Sequence, residues 1–167
     1  MKFRIKLPSQ DDLKLLFEYR DDGKLISKYS RTSRKIGNEI GVLNKYGYLS
    51  AKIKNKTYYV HRLIWTLCIG EIPNGFDIDH INGCRSDNTL SNLRLVTRSE
   101  NNKNLRKAKS NSKTQLIGSC FHKATGKYVA QINDGGKVKH LGLFEAAIDA
   151  HNAYINAKRK LHATCTI

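Results

Sequence analysis

The first part of the chain alternates between apolar and polar positions in the way that β-hairpins do. Residues 15–20 and 24–28 are two such runs, separated by an Asp-Asp-Gly turn in which glycine tolerates the positive φ of a tight turn. A second alternating run covers residues 46–54 and turns at residues 55–56 into residues 57–60. The pattern therefore predicts two hairpins.

The second hairpin has one apolar and one basic face. Leu49, Ala51 and Ile53 share a face because side chains alternate along a strand. Tyr48, Ser50, Lys52 and Lys54 lie on the other, exposed face. The two lysines are candidates for contact with a nucleic-acid backbone. A solvated strand face has the same pattern, so both interpretations stay open.

Residues 61–69 are apolar around the whole circumference of a helix, which predicts a buried short helix ended by Gly70. His61 and Arg62 stand at its start, where they are candidates for contact with a phosphate. For His61, a hydrogen-bonded structural histidine is an equally open interpretation.

A strand, a polar loop, a second strand and a helix follow in that order. The strands are predicted at residues 76–81 and 93–96, and an Asn-Gly pair opens the loop between them. The helix starts after Thr97, because Thr97 and Glu100 form a capping box in which each side chain satisfies an otherwise orphaned amide.

A basic stretch follows this helix. Residues 103–114 contain five Lys or Arg side chains and no acidic one, and we interpret them as the helix running out into a linker. Such a linker would follow a DNA groove and become ordered when DNA binds. The basic candidates are Lys103, Arg106, Lys107, Lys109 and Lys113.

After the linker the pattern changes to three short strands and one helix. The strands are predicted at residues 117–122, 127–133 and 137–143, joined by turns that contain glycine. The helix is predicted at residues 145–161, with a stripe of mainly small residues that lets it lie close against a sheet. The stripe consists of Ala147, Ala150, Tyr154, Ala157 and Leu161.

The composition adds a strong electrostatic bias. Thirty Lys and Arg against fourteen Asp and Glu give a formal net charge of +16, of the sign that attracts polyphosphate. Residues 1–116 carry 23 basic and 11 acidic side chains (+12), and residues 117–167 carry 7 and 3 (+4). Charge alone also fits nonspecific nucleic-acid binding.

The four cysteines, at 68, 84, 120 and 165, are separated by 16, 36 and 45 residues, and no C-x-x-C pair occurs. We therefore expect free thiols and no structural zinc. The N-terminus lacks the apolar core of a signal peptide, and no run approaches about 18 apolar residues. A soluble, intracellular protein without a membrane partner is expected.

The most informative chemistry lies between residues 79 and 101. Asp79 and His80 are adjacent and point to opposite sides of an extended chain, and Asn92 and Asn101 complete the set within 23 residues. Carboxylate and amide oxygens suit Mg²⁺, and an imidazole with a pKa of about 6.5 takes a proton near neutral pH. The set therefore suits metal-assisted hydrolysis of a phosphodiester.

This segment resembles the His-Asn-His (HNH) nuclease motif, in the phage homing-endonuclease branch whose last histidine is replaced by asparagine. The match rests on Asp-His, Asn-Leu-Arg and Thr-x-x-Glu-Asn after a Val-His-Arg-Leu helix. The resemblance implies a ββα-metal unit in which Asp79 and Asn101 bind Mg²⁺, with Mn²⁺ as a substitute. It makes His80 the general base, worth about 10²- to 10⁴-fold, and Asn92 a brace for the loop.

The C-terminal unit resembles the Apetala / ethylene-response-factor DNA-binding domain. The match rests on residues 126–132 (GKYVAQI), 141–144 (LGLF), 150–154 (AHNAY) and 160–162 (KLH). The resemblance implies that the three-stranded sheet, rather than the helix, enters the major groove of DNA.

Strand alternation divides this sheet between two faces, with Tyr128, Ala130 and Ile132 towards the helix. Gln and Asn on the outward face can read adenine, although an ordinary exposed sheet face also carries such residues. Plant members have arginines and tryptophans there, which implies a weaker or different base preference here. The outward candidates for DNA contact are His122, Lys127, Gln131, Asn133 and His140.

We therefore expect an α+β protein with an HNH nuclease domain and N-terminal β-hairpins (1–102), a basic linker (103–115) and an Apetala / ethylene-response-factor-like domain (116–167). It is expected to act as a monomer on double-stranded DNA, without a small-molecule cofactor, in the host cytoplasm or nucleoid if phage-encoded.

Three alternatives accompany this expectation. The main one is a noncatalytic DNA-binding regulator with a degenerate nuclease fold, against which Asp79 and His80 speak. The second is a restriction-like or packaging nuclease, which would catalyse the same reaction but have a different biological role. An RNA-binding protein would need aromatic stacking platforms, and aromatic residues are only 8% of the chain.

Overall fold

The computed structural model divides the chain into two compact units, Met1–Arg98 and Ser99–Ile167. Both units contain strands and helices, which confirms the predicted α+β class. The domain boundaries predicted from the sequence stay a prediction. The residues that the structure describes are 6–30, 34–104, 108 and 111–161.

The first unit opens with a helix that the sequence pattern did not predict. Helix α1 (Gln10–Leu16) begins after Ser9, whose Oγ accepts a hydrogen bond from the Asp12 amide, and its Leu13 is fully buried. Leu15 and Leu16 belong to this helix, so their assignment to a strand was wrong. The missed signal is the serine cap with two aspartates in the first turn, where negative charge is favourable.

The first predicted hairpin is confirmed and gains a third strand. Strands β1 (Phe17–Arg20) and β2 (Lys24–Ser27) pair antiparallel around Gly23, whose φ is +83°. Strand β3 (Glu39–Ile40) pairs with the other edge of β2. The buried side chains of this sheet join the core of the unit.

The second hairpin is also confirmed, with its turn placed one residue earlier than predicted. Strands β4 (Val42–Leu43), β5 (Leu49–Ile53) and β6 (Lys56–Tyr59) form an antiparallel sheet. Lys54 and Asn55 make the turn, with φ values of 44° and 63°. Two consecutive residues with positive φ are typical of the turn that suits the twist of a two-residue hairpin.

Helix α2 (Val60–Cys68) follows directly and is the buried helix predicted before Gly70. Its Leu63 and Ile64 have no exposed surface and lie in the same hydrophobic core as α1 and both sheets. This core supports the strand pair that comes next.

Strands β7 (Phe76–His80) and β8 (Leu93–Thr97) pair antiparallel across the polar loop. Ile78 and Leu93 face the hydrophobic core. Helix α3 (Arg98–Lys103) begins directly after Thr97, where the capping pattern predicted it. The predicted strand, loop, strand and helix are thus present in that order.

The second unit contains the three strands and the helix predicted from its sequence. Strands β9 (Ser119–His122), β10 (Lys127–Asp134) and β11 (Lys137–Phe144) form an antiparallel sheet with β10 in the centre. Helix α4 (Ala147–Leu161) packs against all three strands. In the part of the chain that the structure describes, no helix is long and apolar enough to cross a membrane.

The faces of the central strand follow the predicted alternation. Ala130 and Ile132 are buried, whereas Gln131 and Asn133 are exposed. A β-bulge lies between Ala130 and Gln131, where the register on β11 skips one residue. Bulges bend a strand and increase its twist, and the hydrophobic pattern gave no sign of this one.

Candidate active site

Asp79 lies near the end of β7 and is held by the strand opposite. Nε and Nη2 of Arg94, its cross-strand neighbour, donate hydrogen bonds of 3.0 and 2.8 Å to Oδ2 of Asp79. The Asp79 side chain is 18% exposed, so this pair is largely shielded from water. Charge-assisted bonds to one carboxylate oxygen fix the orientation of the whole group.

His80 points to the other side of the strand and is buried, with 4% of its surface exposed. Its Nε2 lies 3.0 Å from Oδ1 of Asn88, which is 1% exposed. Burial lowers the pKa of His80, and the hydrogen bond to Asn88 and the nearby Asp79 carboxylate offset only part of this effect. The imidazole is therefore neutral near pH 7, which is the form that can accept a proton.

A second histidine lies directly against His80. The ring centroids of His61 and His80 are 4.9 Å apart, and the His61 ring also contacts Tyr48 and Tyr59. His61 is 5% exposed, which argues against the predicted contact with a phosphate. The alternative, a structural histidine, fits its packing, although Nδ1 has no hydrogen-bond partner among the described residues.

The buried His61 makes folding stability depend on pH. Burial, His80 and Arg62 together lower the pKa of His61 from 6.5 to about 3. Below pH 6.5 the His61 imidazole binds a proton in the unfolded chain but stays unprotonated in the folded chain. The free energy of unfolding therefore falls as the pH falls towards 3. We expect the titration of His61 to lower the free energy of unfolding by about 1.4 kcal/mol when the pH falls from 7.5 to 5.5, as measured by urea unfolding.

His61→Phe keeps a ring but cannot titrate, so it should flatten this pH dependence. His122→Phe is the matched control, because His122 is exposed. An equal loss of stability at pH 5.5 in wild type and His61→Phe would contradict the assignment.

Asn92 ties together the two ends of the loop between β7 and β8. Its Oδ1 accepts the amide of Asn82 (2.9 Å), and its Nδ2 donates to the carbonyl of Asp87 (2.8 Å). Its own carbonyl accepts the amide of Ile81 (2.8 Å). Bonds to both sides of the loop limit the positions that the loop can adopt.

Sequence reasoning missed the roles of three neighbours of His80 in this unit. Asn88 stands within the motif, but only the fold shows that it faces His80. The guanidinium of Arg85 lies 4.9 Å from the Tyr48 ring centre, and its Nη1 donates to the Tyr46 carbonyl (2.9 Å). Tyr48, placed on the exposed hairpin face by alternation, lies with its ring centre 6.0 Å from that of His80.

The remaining predicted residues of the first unit lie on its surface or near it. Lys52 and Lys54 are exposed, as a backbone-contacting face requires. The side chain of Arg62 is 20% exposed, and its Nη1 lies 3.9 Å from the Asp77 carboxylate. These three positions keep their predicted contact with DNA as a proposal.

In the second unit, Asn101 is half-buried in α3. His122, Gln131, Asn133 and His140 are exposed on the sheet. Lys127 is half-buried, and its Nζ lies 2.5 Å from the Glu145 carboxylate. Three of the five basic candidates of the linker lie outside the described residues: Arg106, Lys107 and Lys109.

The predicted metal ligands, Asp79 and Asn101, offer only oxygen atoms. Among the described residues, no group of three or more His, Cys, Asp or Glu side chains is arranged to hold a metal ion. Cys68, Cys84 and Cys120 are free thiols, and Cys165 lies outside the described part. One carboxylate and one carboxamide fit Mg²⁺, which keeps several waters and needs few protein ligands.

Comparison with known proteins finds a family similarity over the segment that carries this geometry. Residues 58–103 match the family model described as HNH endonuclease. The match covers α2, β7, β8 and α3, so the resemblance expected for the Asp-His segment is confirmed there. The resemblance of the C-terminal unit to the Apetala / ethylene-response-factor domain stays a prediction.

Two curated relatives illustrate the similarity to individual proteins. YosQ of Bacillus subtilis (strain 168), an SPbeta prophage-derived protein that carries the name of an HNH homing endonuclease, is 35% identical over 81 residues, or 48% of this chain and 47% of that one. Protein 3.8 of Escherichia phage T7 is 42% identical over 77 residues, or 46% and 63%. The chain spans about half the length of the curated relatives it matches.

The chain also resembles the HNH homing endonuclease I-HmuI, whose solved structure describes DNA binding and cleavage by that enzyme. It is 24% identical, with a TM-score of 0.44, and the similarity covers 60% of this chain and 57% of that one.

Proposed function

We propose that the protein is a metal-dependent DNA endonuclease of the HNH type. The observation that carries the proposal is a buried His80, held by a hydrogen bond to Asn88, beside an Asp79 carboxylate that is held by Arg94. Both lie in the segment that matches the HNH endonuclease model. A base and an oxygen ligand on opposite sides of one strand suit hydrolysis of a phosphodiester.

The proposed division of labour follows from the two orientations. His80 takes a proton from the attacking water at a ring nitrogen, and its burial keeps it unprotonated before the step. Asp79, oriented by Arg94, and Asn101 would hold Mg²⁺, with Mn²⁺ as a substitute. When bound, the ion supplies charge stabilisation for the transition state and for the departing 3′ oxygen.

Double-stranded DNA is the proposed substrate, and the charge supports it. A net charge of +16 favours a polyanion, and Lys52 on β5 and Lys54 in the turn after it are both exposed. The exposed polar face of the C-terminal sheet supplies candidates for base contact, so that this unit selects the target while the catalytic segment tolerates many sequences. We propose a monomer as the acting species.

The test is cleavage of supercoiled plasmid and end-labelled phage DNA with Mg²⁺, with Mn²⁺ and with EDTA. We expect nicked or linear product with either metal and none with EDTA, because the metal stabilises the transition state. A gel-shift assay in EDTA measures binding separately, and we expect it to persist because phosphate contacts supply most of the affinity.

Two outcomes of this experiment contradict the proposal in different ways. Cleavage that continues in EDTA removes the metal from the mechanism. Binding without cleavage in both metals favours the second candidate function, a noncatalytic DNA-binding regulator.

A further inference from the structure

The hydrogen bond between His80 and Asn88 determines which ring nitrogen carries a proton. With Oδ1 of Asn88 at 3.0 Å, Nε2 of His80 donates, and the lone pair is on Nδ1. If the amide were turned over, Nδ2 would donate to Nε2 and the proton would move to Nδ1. Only one of these arrangements presents an unprotonated nitrogen away from Asn88.

Asn88 is itself held in a crowded position. It is 1% exposed, and its Nδ2 has no hydrogen-bond partner in the part of the chain that the structure describes. An unpartnered buried amide nitrogen is destabilising, and such a cost persists only where the surrounding structure holds the group in place. The source of that support lies outside the motif.

The support comes from the turn between β1 and β2. A Cβ built on Gly23 would lie 2.7 Å from the amide nitrogen of Thr89 and 2.9 Å from the carbonyl carbon of Asn88. The turn therefore lies in direct contact with the backbone on either side of the Asn88–Thr89 peptide bond. Only a residue without a side chain allows this approach.

A second contact joins the same two elements. The hydroxyl of Tyr19, on β1, accepts a hydrogen bond of 3.1 Å from the amide of Leu90. The hairpin is anchored in turn by Phe17 and Leu25, each 1% exposed in the hydrophobic core. The loop that carries Asn88 thus rests on a rigid element about 65 residues away in sequence.

We propose that Asn88 is a positioning residue that fixes the tautomer and orientation of His80, and that the β1–β2 turn holds Asn88 in place through Gly23. The hairpin lies outside residues 58–103, the segment that matches the HNH endonuclease family model. The proposal rests on the proposed function for its effect on cleavage, whereas the tautomer is a property of the folded chain alone.

The tautomer can be measured directly. In protein labelled with ¹⁵N-histidine, long-range ¹H–¹⁵N correlations at pH 7.5 distinguish Nε2–H from Nδ1–H, and His80→Gln identifies the signal. We expect Nε2–H in wild type and in Asn88→Asp, which keeps an acceptor, and a mixture with Nδ1–H in Asn88→Leu, which keeps volume but has no acceptor.

Cleavage kinetics supply the second measurement. Asn88→Leu should lower kcat by about 10- to 100-fold, a part of what a general base contributes, with KM and DNA affinity unchanged. Asn88→Asp, which keeps an acceptor, should retain most of the kcat of wild type. A merely structural Asn88 would change KM and kcat together and would not be rescued by aspartate.

Gly23→Ala tests whether the β1–β2 turn holds Asn88 in place, and Gly37→Ala is its matched control. The two glycines have φ values of +83° and +85°, but a Cβ at Gly37 meets nothing within 4 Å. We expect only Gly23→Ala to disturb the His80 tautomer and to lower kcat.

The results separate this proposal from the proposed function. An Nδ1–H tautomer in wild type, or an unchanged tautomer in Asn88→Leu, overturns the positioning role. If wild type fails to cleave DNA, the proposed function fails, and the tautomers of Asn88→Leu and Gly23→Ala still decide whether Asn88 and the turn position His80.

Discussion

Asp79→Ala and His80→Ala should each abolish detectable DNA cleavage while DNA binding survives. Loss of the general base costs about 10²- to 10⁴-fold, and loss of a metal ligand removes transition-state stabilisation of several kcal/mol. Neither residue needs to contact many phosphates, so affinity should change little. Cleavage of end-labelled DNA and gel-shift assays measure the two quantities on the same preparations.

Asp77→Ala is the matched control for Asp79→Ala. Both aspartates lie on β7, two residues apart and therefore on one face, and each faces an arginine. Their side chains are similarly exposed, 20% for Asp77 and 18% for Asp79. A structural role for the carboxylate predicts similar losses in both variants, whereas the metal role predicts loss of cleavage only in Asp79→Ala.

Two results would contradict the assignment. Loss of DNA binding together with unfolding in Asp79→Ala and His80→Ala would mean that these residues hold the fold. Unchanged cleavage in both variants would place the active site elsewhere in the chain.

The sequence predicted those parts of the site that depend on local order along the chain. Asp79 and His80 point apart because they are neighbours on a strand, and the two strands and the helix follow from short patterns with clear ends. The second unit was predicted for the same reason, since its strands alternate and are joined by glycine turns.

The features that were missed depend on contacts between distant segments. The pairing of Asp79 with Arg94 requires the register of β7 and β8, which a pattern of apolar positions does not specify. The approach of Gly23 to Asn88 requires the packing of a hairpin against a loop. His61 was a candidate for phosphate contact because a helix start is commonly exposed, yet here it is packed between rings.

Gly118→Ala should cause the largest loss of stability among single substitutions in the second unit. The φ of Gly118 is +72°, and a Cβ there would lie 1.9 Å from Cγ of Tyr154 and 2.4 Å from both Cδ atoms. The glycine backbone therefore lies flat against the ring. We expect a cost of about 4 kcal/mol or more, because overpacking adds to the strain of a left-handed backbone.

The Tyr154 ring has little freedom to move away. It lies on α4, which packs against all three strands, and the ammonium group of Lys158 lies 5.7 Å from the ring centre. Lys158 has no exposed surface, so a shift of the ring would disturb a buried charge as well. Relief of the collision thus requires the helix to separate from the sheet.

Gly126→Ala separates the collision from the backbone strain. Its φ of +68° is close to that of Gly118, but a Cβ there meets nothing within 4 Å, so only about 1–2 kcal/mol should be lost. Urea unfolding followed by the NMR signals of β9, β10 and α4 measures both variants. Equal losses would show that the ring yields to the methyl group, and the close packing of Tyr154 on Gly118 would then not contribute to the stability of this unit.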